Sequence, residues 1–583
     1  MRRWEEDRGA HSLGVPAPQP KTAGGWRAYA PLALLVIAGT VISGVTLVRI
    51  LGGVGRDRVL TVNVPEAQPA TTGAVPALEA IDEAYIKGWV EALSSEELGG
   101  RDTPSRGLDL AQERVAAEFR RIGLLPPAES AASELERPLE DPTLRGYLAP
   151  FRSSAAFFAR VPYEAPDGAA CALELDGESA PFSLFSDYVP LARSSREDPI
   201  FAGEAYSRAV FAGFGIDSDR YRYDDFAAVD VEGKIAVVIS GEPEGERYQD
   251  TFLGAEVSAE ACVWNKLDAL SGKGAAGALV VDMDAVEGAL DFHWTRAYWN
   301  PPTMDQVRGG LPTLRVTRDV ASRVLGVSVE ELRAEILSTG APLGRVVQSP
   351  KRVELSSWTK RTDVELRNVV GVLPGSGGEG PAGGPFIVVG AHLDHIGVGP
   401  RGRVGRGADD NASGVAAMLA MARTLSSEDG RSRLGATSVV FCAFTGEEDG
   451  RVGSAAYVNS LVGATELCPL MINLDMVGAG DPRSAVVLGL TESPSLIDPF
   501  HRVVARGGFG LDRIQEVTSK SFFLRSDHYS FYEAGIPALF LFEAWPHETG
   551  VYHTWRDGAS TVSARKVTSI ARLGALVAFE VAR

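Results

Sequence analysis

Five short stretches in the second half of the chain carry residue types that bind metal and move protons. Eight histidines occur in 583 residues, and six lie between 392 and 553: His392, His395, His501, His528, His547 and His553. FIVVGAHLDH closes an apolar strand pattern with His392, Asp394 and His395. An imidazole at a strand end suits zinc, and Asp394 is spaced to orient it. GADDNASG (407–414) sets Asp409 and Asp410 just ahead of a helix pattern. A helix cap accounts for one polar residue there but not for three in a row, and a carboxylate at such a turn can bridge two ions. FTGEED (444–449) puts Glu447 beside Glu448 after a strand pattern. Burying both without a cation is costly; beside one, a carboxylate ligates while its neighbour takes a proton from metal-bound water. MINLDMVG (471–478) places Asp475 in an apolar strand, where it needs a partner. RSDHYSF (525–531) and ETGVYHTWRD (548–557) add Arg525, Asp527, His528, Tyr552 and His553. Singly, each stretch reads equally as a cap, a solvated loop or a satisfied polar residue. Jointly, at strand ends and a helix start, they suit a two-metal hydrolytic site with nitrogen and oxygen ligands.

The elements that must position these residues alternate from Asp363 onward. Strand patterns are VELRNVVGVL, FIVVGAHL, TSVVFCAF, PLMINLDMV, SAVVLGL and PALFLFE. Helix patterns are ASGVAAMLAMARTLSSE, GSAAYVNSL, PSLIDPFHRVVARGG and SARKVTSIARLGALVAFEV. The alternation predicts an α/β fold, a mixed, mainly parallel sheet flanked by helices. Sites in such sheets gather beyond the carboxyl ends of strands. Two amphipathic helices are expected in IDEAYIKGWVEALSSEEL and LDLAQERVAAEFRRIG. Residues 156–347 have a different texture, short β-type runs broken by Gly and Asp, and read as a separate β-rich domain. PGSGGEGPAGG (374–384) lacks the GK[ST] ending of a phosphate loop and reads as a hairpin loop. No G-x-S-x-G elbow for a serine nucleophile occurs.

Composition bounds the function further. The net charge is −19, and an acidic surface argues against nucleic acid as partner. Four cysteines in such a length exclude a disulfide scaffold. Residues 1–58 hold eight Lys/Arg and four Asp/Glu, a net +4 against the acidic remainder. Within them Ala28–Val48 is an uncharged apolar run, long enough to span a bilayer as one helix. The flanking charges lean toward a cytoplasmic N-terminus. The rival reading is a cleaved signal peptide. VPEAQPATTGAVP, within 53–77, reads as a linker.

In the order HLD, DDNASG, GEE, LDM and YH, the motifs resemble the di-zinc aminopeptidase family that includes bacterial leucyl aminopeptidases, glutamate carboxypeptidases and glutaminyl cyclases. ALSSEELGGRDTPSRG…AAEFRRIGLLP is similar to the family's N-terminal helices. AVFAGFGI, YDDFAAVDVEGKIAVVISGEP, KGAAGALVV and LPTLRVTRDVA resemble an inserted protease-associated (PA) domain. The resemblance implies two zinc ions: His392 and Asp475 on one, Glu448 and His553 on the other, Asp410 bridging. It implies Glu447 as general base, Asp394 as the residue orienting His392, and Arg525 and Tyr552 as substrate-binding. Asp409, His395, His528 and His547 are expected in support. The His at 395 departs from the Ser or Thr of many members. The implied organisation is a cytoplasmic segment 1–27, a transmembrane helix or signal anchor 28–48, a linker 49–77, the first part of the peptidase 78–155, the PA-like insert 156–347 and the catalytic domain 348–583. The implied function is an exported aminopeptidase acting on peptides with a free N-terminus. Alternatives are a carboxypeptidase or glutaminyl cyclase on the same fold, or a silent membrane-anchored binding protein, which would not hold zinc.

Overall fold

The computed structural model describes residues 47–49, 58–65, 75–127, 137–158, 171–178, 182–184, 186–191, 200–244, 248, 258–283, 311–377, 383–399, 402–461, 463–544 and 551–583. Two compact units divide the chain, Met1–Ile42 and Ser43–Arg583, and the described residues all fall in the second. Residues 28–46 of the expected membrane helix lie outside the described residues. Leu47 and Val48, its last two residues, are instead in a short strand, β1 (Leu47–Arg49). Among the described residues no helix is long and apolar enough to cross a membrane.

The further strands are β2 (Arg58–Asn63), β3 (Leu148–Phe158), β4 (Ala172–Leu175), β5 (Tyr188–Pro190), β6 (Ile200–Phe211), β7 (Asp217–Ser218), β8 (Tyr223–Asp224), β9 (Ile235–Ile239), β10 (Gly277–Asp282), β11 (Thr313–Thr317), β12 (Gln348–Leu373), β13 (Phe386–His392), β14 (Ser438–Phe444), β15 (Leu470–Leu474), β16 (Ser484–Leu488), β17 (Arg513–Thr518) and β18 (Ala538–Phe542). One half of the sheet runs β1-β2-β17-β16-β18-β15-β13-β14-β12. At its centre β13 is parallel to both β14 and β15, and β15 is parallel to β18. All four strands are buried at every position, the consequence of near-continuous apolar runs covered on both faces. The mixed α/β sheet expected from the sequence is therefore present.

Helices complete that core. Arg106–Ile122 begins where the Ser105 hydroxyl accepts the Leu108 N–H at 3.1 Å and ends at Gly123, whose φ of 86° few other residues adopt. Its stripe of Leu108, Ala111, Val115 and Phe119 is buried against the sheet, with Phe119 packing on Phe441 of β14. Gly414–Leu425 and Ala564–Val581 pack into the same core.

Residues between β4 and β12 carry two cores of their own. Parallel strands β6, β9, β10 and β11 lie side by side, with antiparallel β5 at the end. Phe211, Val237, Leu279, Leu314 and Leu355 fill one face; Val238, Leu267, Leu270 and Val280 fill the other. β12 belongs to both halves: its first part pairs with β4 and β6, its last part with β3 and β14.

Three expectations shift. β2 lies inside the stretch read as a linker, where its backbone pairs antiparallel with β17 on one side and β1 on the other. β17 itself, RIQEVT, escaped the strand reading because a half-exposed strand needs few apolar residues. The Gly-rich loop 374–384 is no hairpin loop, because β14 lies between the two strands it joins.

Leu279 is fully buried in β10. Leu279→Ala is expected to cost about 2–5 kcal/mol in urea denaturation; an unchanged midpoint would show that this face is not packed.

Candidate metal centre

The polar residues sit where parallel strands end. His392 is the last residue of β13, and Asp394 and His395 follow it directly. Glu447 and Glu448 follow β14, and Asp475 follows β15. Asp409 and Asp410 occupy the buried turn that leads into helix Gly414–Leu425. His553 lies in the loop after β18 and has φ 54°.

Asp410 is the hub. Its Oδ1 lies 3.3 Å from His392 Nε2, which is also 3.1 Å from Asp475 Oδ1. Its Oδ2 lies 3.1 Å from His553 Nε2, which is also 3.1 Å from Glu448 Oε2. Each oxygen of one carboxylate thus faces its own imidazole and its own second carboxylate. The groups His392/Asp410/Asp475 and His395/Asp410/Glu448 each hold donor atoms within 4.8 Å of one another. On tetrahedral zinc, with bonds of about 2.0–2.1 Å, donors stand roughly 3.3 Å apart. The nitrogen and oxygen donors of both groups fit that metal.

Surrounding contacts hold these groups. Asp394 was expected to orient His392 through its carboxylate, but the nearer partner of His392 Nδ1 is the Asp394 carbonyl oxygen, at 3.2 Å, with the carboxylate Oδ1 at 3.9 Å. That carboxylate is engaged by the backbone N–H groups of Glu447 and Glu448, which donate to it at 3.2 Å each. Ser526 donates to Asp475 Oδ2 at 2.6 Å. Asp557 accepts the backbone N–H groups of Asp409 at 2.8 Å and Asp410 at 3.0 Å. Asp409 lies behind the cluster, accepting the Gly478 N–H at 2.8 Å.

Electrostatics follow from burial and crowding. Burial pulls the His392 imidazole down, but the Asp475 and Asp410 carboxylates around it prevail and raise it well above its usual range. Burial also raises Asp410, yet the surrounding imidazoles hold it below the ordinary carboxylate range. Glu447 is held well above its usual value, by burial first and then by Asp475, Asp527 and Glu448, with His392 opposing. Burial pushes Asp394 up to about 6 and Asp527 and Asp557 each up to about 7.

Residues 368–578 match the profile of Peptidase family M28. That segment belongs to Peptidase family M28. The chain is 32% identical over 249 residues to the probable lipoprotein aminopeptidase LpqL of Mycobacterium tuberculosis, a match covering 41% of this chain and 44% of that protein. It is 27% identical over 271 residues to aminopeptidase YwaD of Bacillus subtilis, covering 46% and 54%. The chain thus spans about half the length of these curated relatives. Among solved structures, an aminopeptidase from Aneurinibacillus sp. strain AM-1 superposes with TM-score 0.54 at 19% identity, over 86% of this chain and 95% of that one. The Bacillus subtilis zinc aminopeptidase BSAP gives TM-score 0.51 at 19% identity over the same shares. These likenesses establish the fold.

Within the M28 segment the structure sorts the expected residues. His392, Asp410, Glu448, Asp475 and His553 converge. His395 does too: its Nδ1 is 2.9 Å from Glu448 Oε1 and its ring stands edge-on to His553. Tyr552 is half-buried and stacks on the His553 ring. Arg525 is exposed, its guanidinium 5.2 Å from the Phe522 ring centre. His528, expected in support, is instead a core aromatic between Phe523 and Phe540, and burial lowers it to about 3, so it stays neutral. His547 lies outside the described residues. Sequence reading missed the contacts of Arg101, Ser526 and Asp557. All three sat inside quoted stretches; the available signal was the closeness of Ser526 to Arg525 and Asp527 and of Asp557 to His553 in the chain.

Asp410→Ala removes the oxygens common to both groups. The purified variant, dialysed and assayed by elemental analysis, is expected to lose bound zinc; native zinc content would refute the bridging role.

Proposed function

We propose that the chain is a zinc-dependent exopeptidase, an aminopeptidase that removes N-terminal residues from peptides. The observation that carries this reading is Asp410, whose two oxygens face two imidazole–carboxylate pairs within reach of Glu447. In this reading His392 and Asp475 hold one zinc ion, Glu448 and His553 the other, and Asp410 bridges. Bound zinc would supply polarisation of the scissile carbonyl and a more acidic attacking water. The protein's own groups do the rest. Glu447, with its raised proton affinity, takes the proton of the attacking water at its carboxylate and returns it to the leaving amine. Asp394 fixes the turn that aims Glu447 and Glu448. Ser526 holds Asp475 by its second oxygen. His395 donates from Nδ1 to Glu448 Oε1 and so fixes that carboxylate. Tyr552 and Arg525 are assigned to substrate.

The reading extends to the rest of the chain. Residues 156–347 are assigned as a PA-like insert, supported by its separate cores around β9 and β10. The apolar run 28–48, behind a basic head, is assigned as an anchor that leaves the peptidase outside the cytoplasm. Recovery of the full chain in the soluble fraction of its host would remove that assignment.

The zinc-loaded chain is expected to hydrolyse a leucyl dipeptide but not its N-acetylated form, and to stop when a chelator is added. Cleavage of the acetylated substrate alone would turn the assignment to a carboxypeptidase. Glu447→Gln is expected to retain zinc and to lose about 10²–10⁴ in kcat; near-native turnover in the zinc-replete variant would exclude Glu447 as the base.

A further inference from the structure

Arg101 is fully buried behind the cluster, in the sequence Leu98-Gly99-Gly100-Arg101. Gly99, Gly100 and Arg101 have φ of 50°, 72° and 51°. Two glycines adopt such angles freely, whereas an arginine does so only when its surroundings hold it there. A Cβ on Gly100 would run into the carbonyl oxygen of Gly405 and would come 2.6 Å from that of Gly397. Backbone bonds complete the close approach: His395 N–H donates to Arg101 O and Gly397 N–H to Gly100 O, each at 3.1 Å.

The guanidinium binds carbonyls from three separate segments. Nε donates to Leu393 O at 2.7 Å, Nη1 to Leu93 O and to Arg406 O at 2.9 Å, and Nη2 to Gly407 O at 2.9 Å. Leu393 separates His392 from Asp394. Arg406 and Gly407 lead into Asp409 and Asp410. One side chain therefore ties the end of helix Glu83–Leu93 to both loops that deliver first-half ligands. Burial pulls the guanidinium down to about 10, with Asp557, Asp410, Asp394 and Glu448 opposing, so it stays charged at neutral pH. The hydrogen bonds of this cation go to carbonyl oxygens.

We propose that Arg101 is a positioning residue for the metal centre, fixing the loops that carry Asp394, His395 and Asp410. The inference rests on the zinc reading above. A plain strut would stabilise the fold equally with and without metal. A positioning residue changes how tightly metal binds, because ligands that are not held in place must be ordered at the moment of binding.

The test uses the full chain stripped of metal: native, Arg101→Lys, Arg101→Gln, and Arg106→Gln as a control from the exposed Arg106–Glu140 pair. Each is titrated with zinc against a chromophoric chelator and melted with and without zinc. Native and control are expected to bind alike. Arg101→Gln is expected to lose zinc affinity by about 10–100-fold, the usual effect of removing a group that orients ligands. Arg101→Lys, which keeps the charge without the fork, is expected to fall between. The rise in melting temperature on adding zinc should shrink in the same order. An Arg101→Gln variant that folds and binds zinc as the native chain does would overturn the proposal, as would equal lowering of both melts at unchanged affinity. Failure of both Arg101 variants to fold would also overturn it, by making Arg101 a determinant of the whole fold. A native chain that binds no zinc would instead remove the zinc reading itself.

Discussion

Negative charge buried at one point is the constraint to which the rest of this structure answers. Asp394, Asp409, Asp410, Asp475, Asp527, Glu543 and Asp557 are all buried, and Glu447 and Glu448 stand among them. Left alone, such a group would take up protons or come apart. The structure answers in three ways. Backbone N–H groups donate to Asp394, Asp409, Glu543 and Asp557. Imidazoles face Asp410, Asp475 and Glu448. Two buried cations flank the cluster, Arg101 on one side and Lys566 on the other, whose Nζ donates to Ala479 O at 2.5 Å and Glu543 O at 2.7 Å. Burial raises both Asp409 and Glu543; Glu543 adds to the rise at Asp409, whereas the contact with Asp409 lowers Glu543. A proton retained on Asp409 lowers the local negative charge.

The parallel centre of the sheet explains why these groups meet. β13, β14 and β15 run in one direction, so their final residues emerge at one edge. His392, Glu447–Glu448 and Asp475 leave from those three strands in turn. Helix Gly414–Leu425, buried along nearly its whole length, delivers the Asp409–Asp410 turn to the same edge. Ser413 and Asn411 lock the approach: Asn411 Oδ1 accepts from Met476 N–H at 3.2 Å, and Ser413 Oγ accepts from Val477 N–H at 3.0 Å. These bonds join the turn to the residues just after Asp475. The two carboxylates that share His392 are thus fixed to one another through backbone and not through their side chains alone.

β12 sets the relation of the second half of the sheet to this edge. Twenty-six residues run without interruption from strands β4 and β6 to strands β3 and β14. The pairing with β3 shifts register between Thr362 and Val364, the irregularity by which a long strand bends between two sheets. β14, its last partner, carries Glu447 and Glu448 at its end. The half of the sheet around β9 and β10 is therefore tied by a continuous hydrogen-bonded ladder to the strand that leads to Glu447.

What the sequence made legible follows from the same physics. Long buried strands and the helices that cover them announce themselves by apolar runs, and all four central strands were readable. The convergence of His392, Asp410, Glu448, Asp475 and His553 was readable because His, Asp and Glu at strand ends have few other reasons to cluster. Strands β2 and β17 were not, since half-exposed segments carry weak patterning and are defined by their partners. The backbone partners of the Asp394 carboxylate were not legible, because a backbone N–H looks the same at every position of a sequence. Arg101 shows the limit most clearly. Its partners are carbonyls of residues 93, 393, 406 and 407, any of which would accept a hydrogen bond whatever its side chain. The one local sign is the pair of glycines before it, which permits a left-handed turn but does not say what the turn serves. A group that works through backbone contacts across three hundred residues becomes visible only when the fold has brought them together.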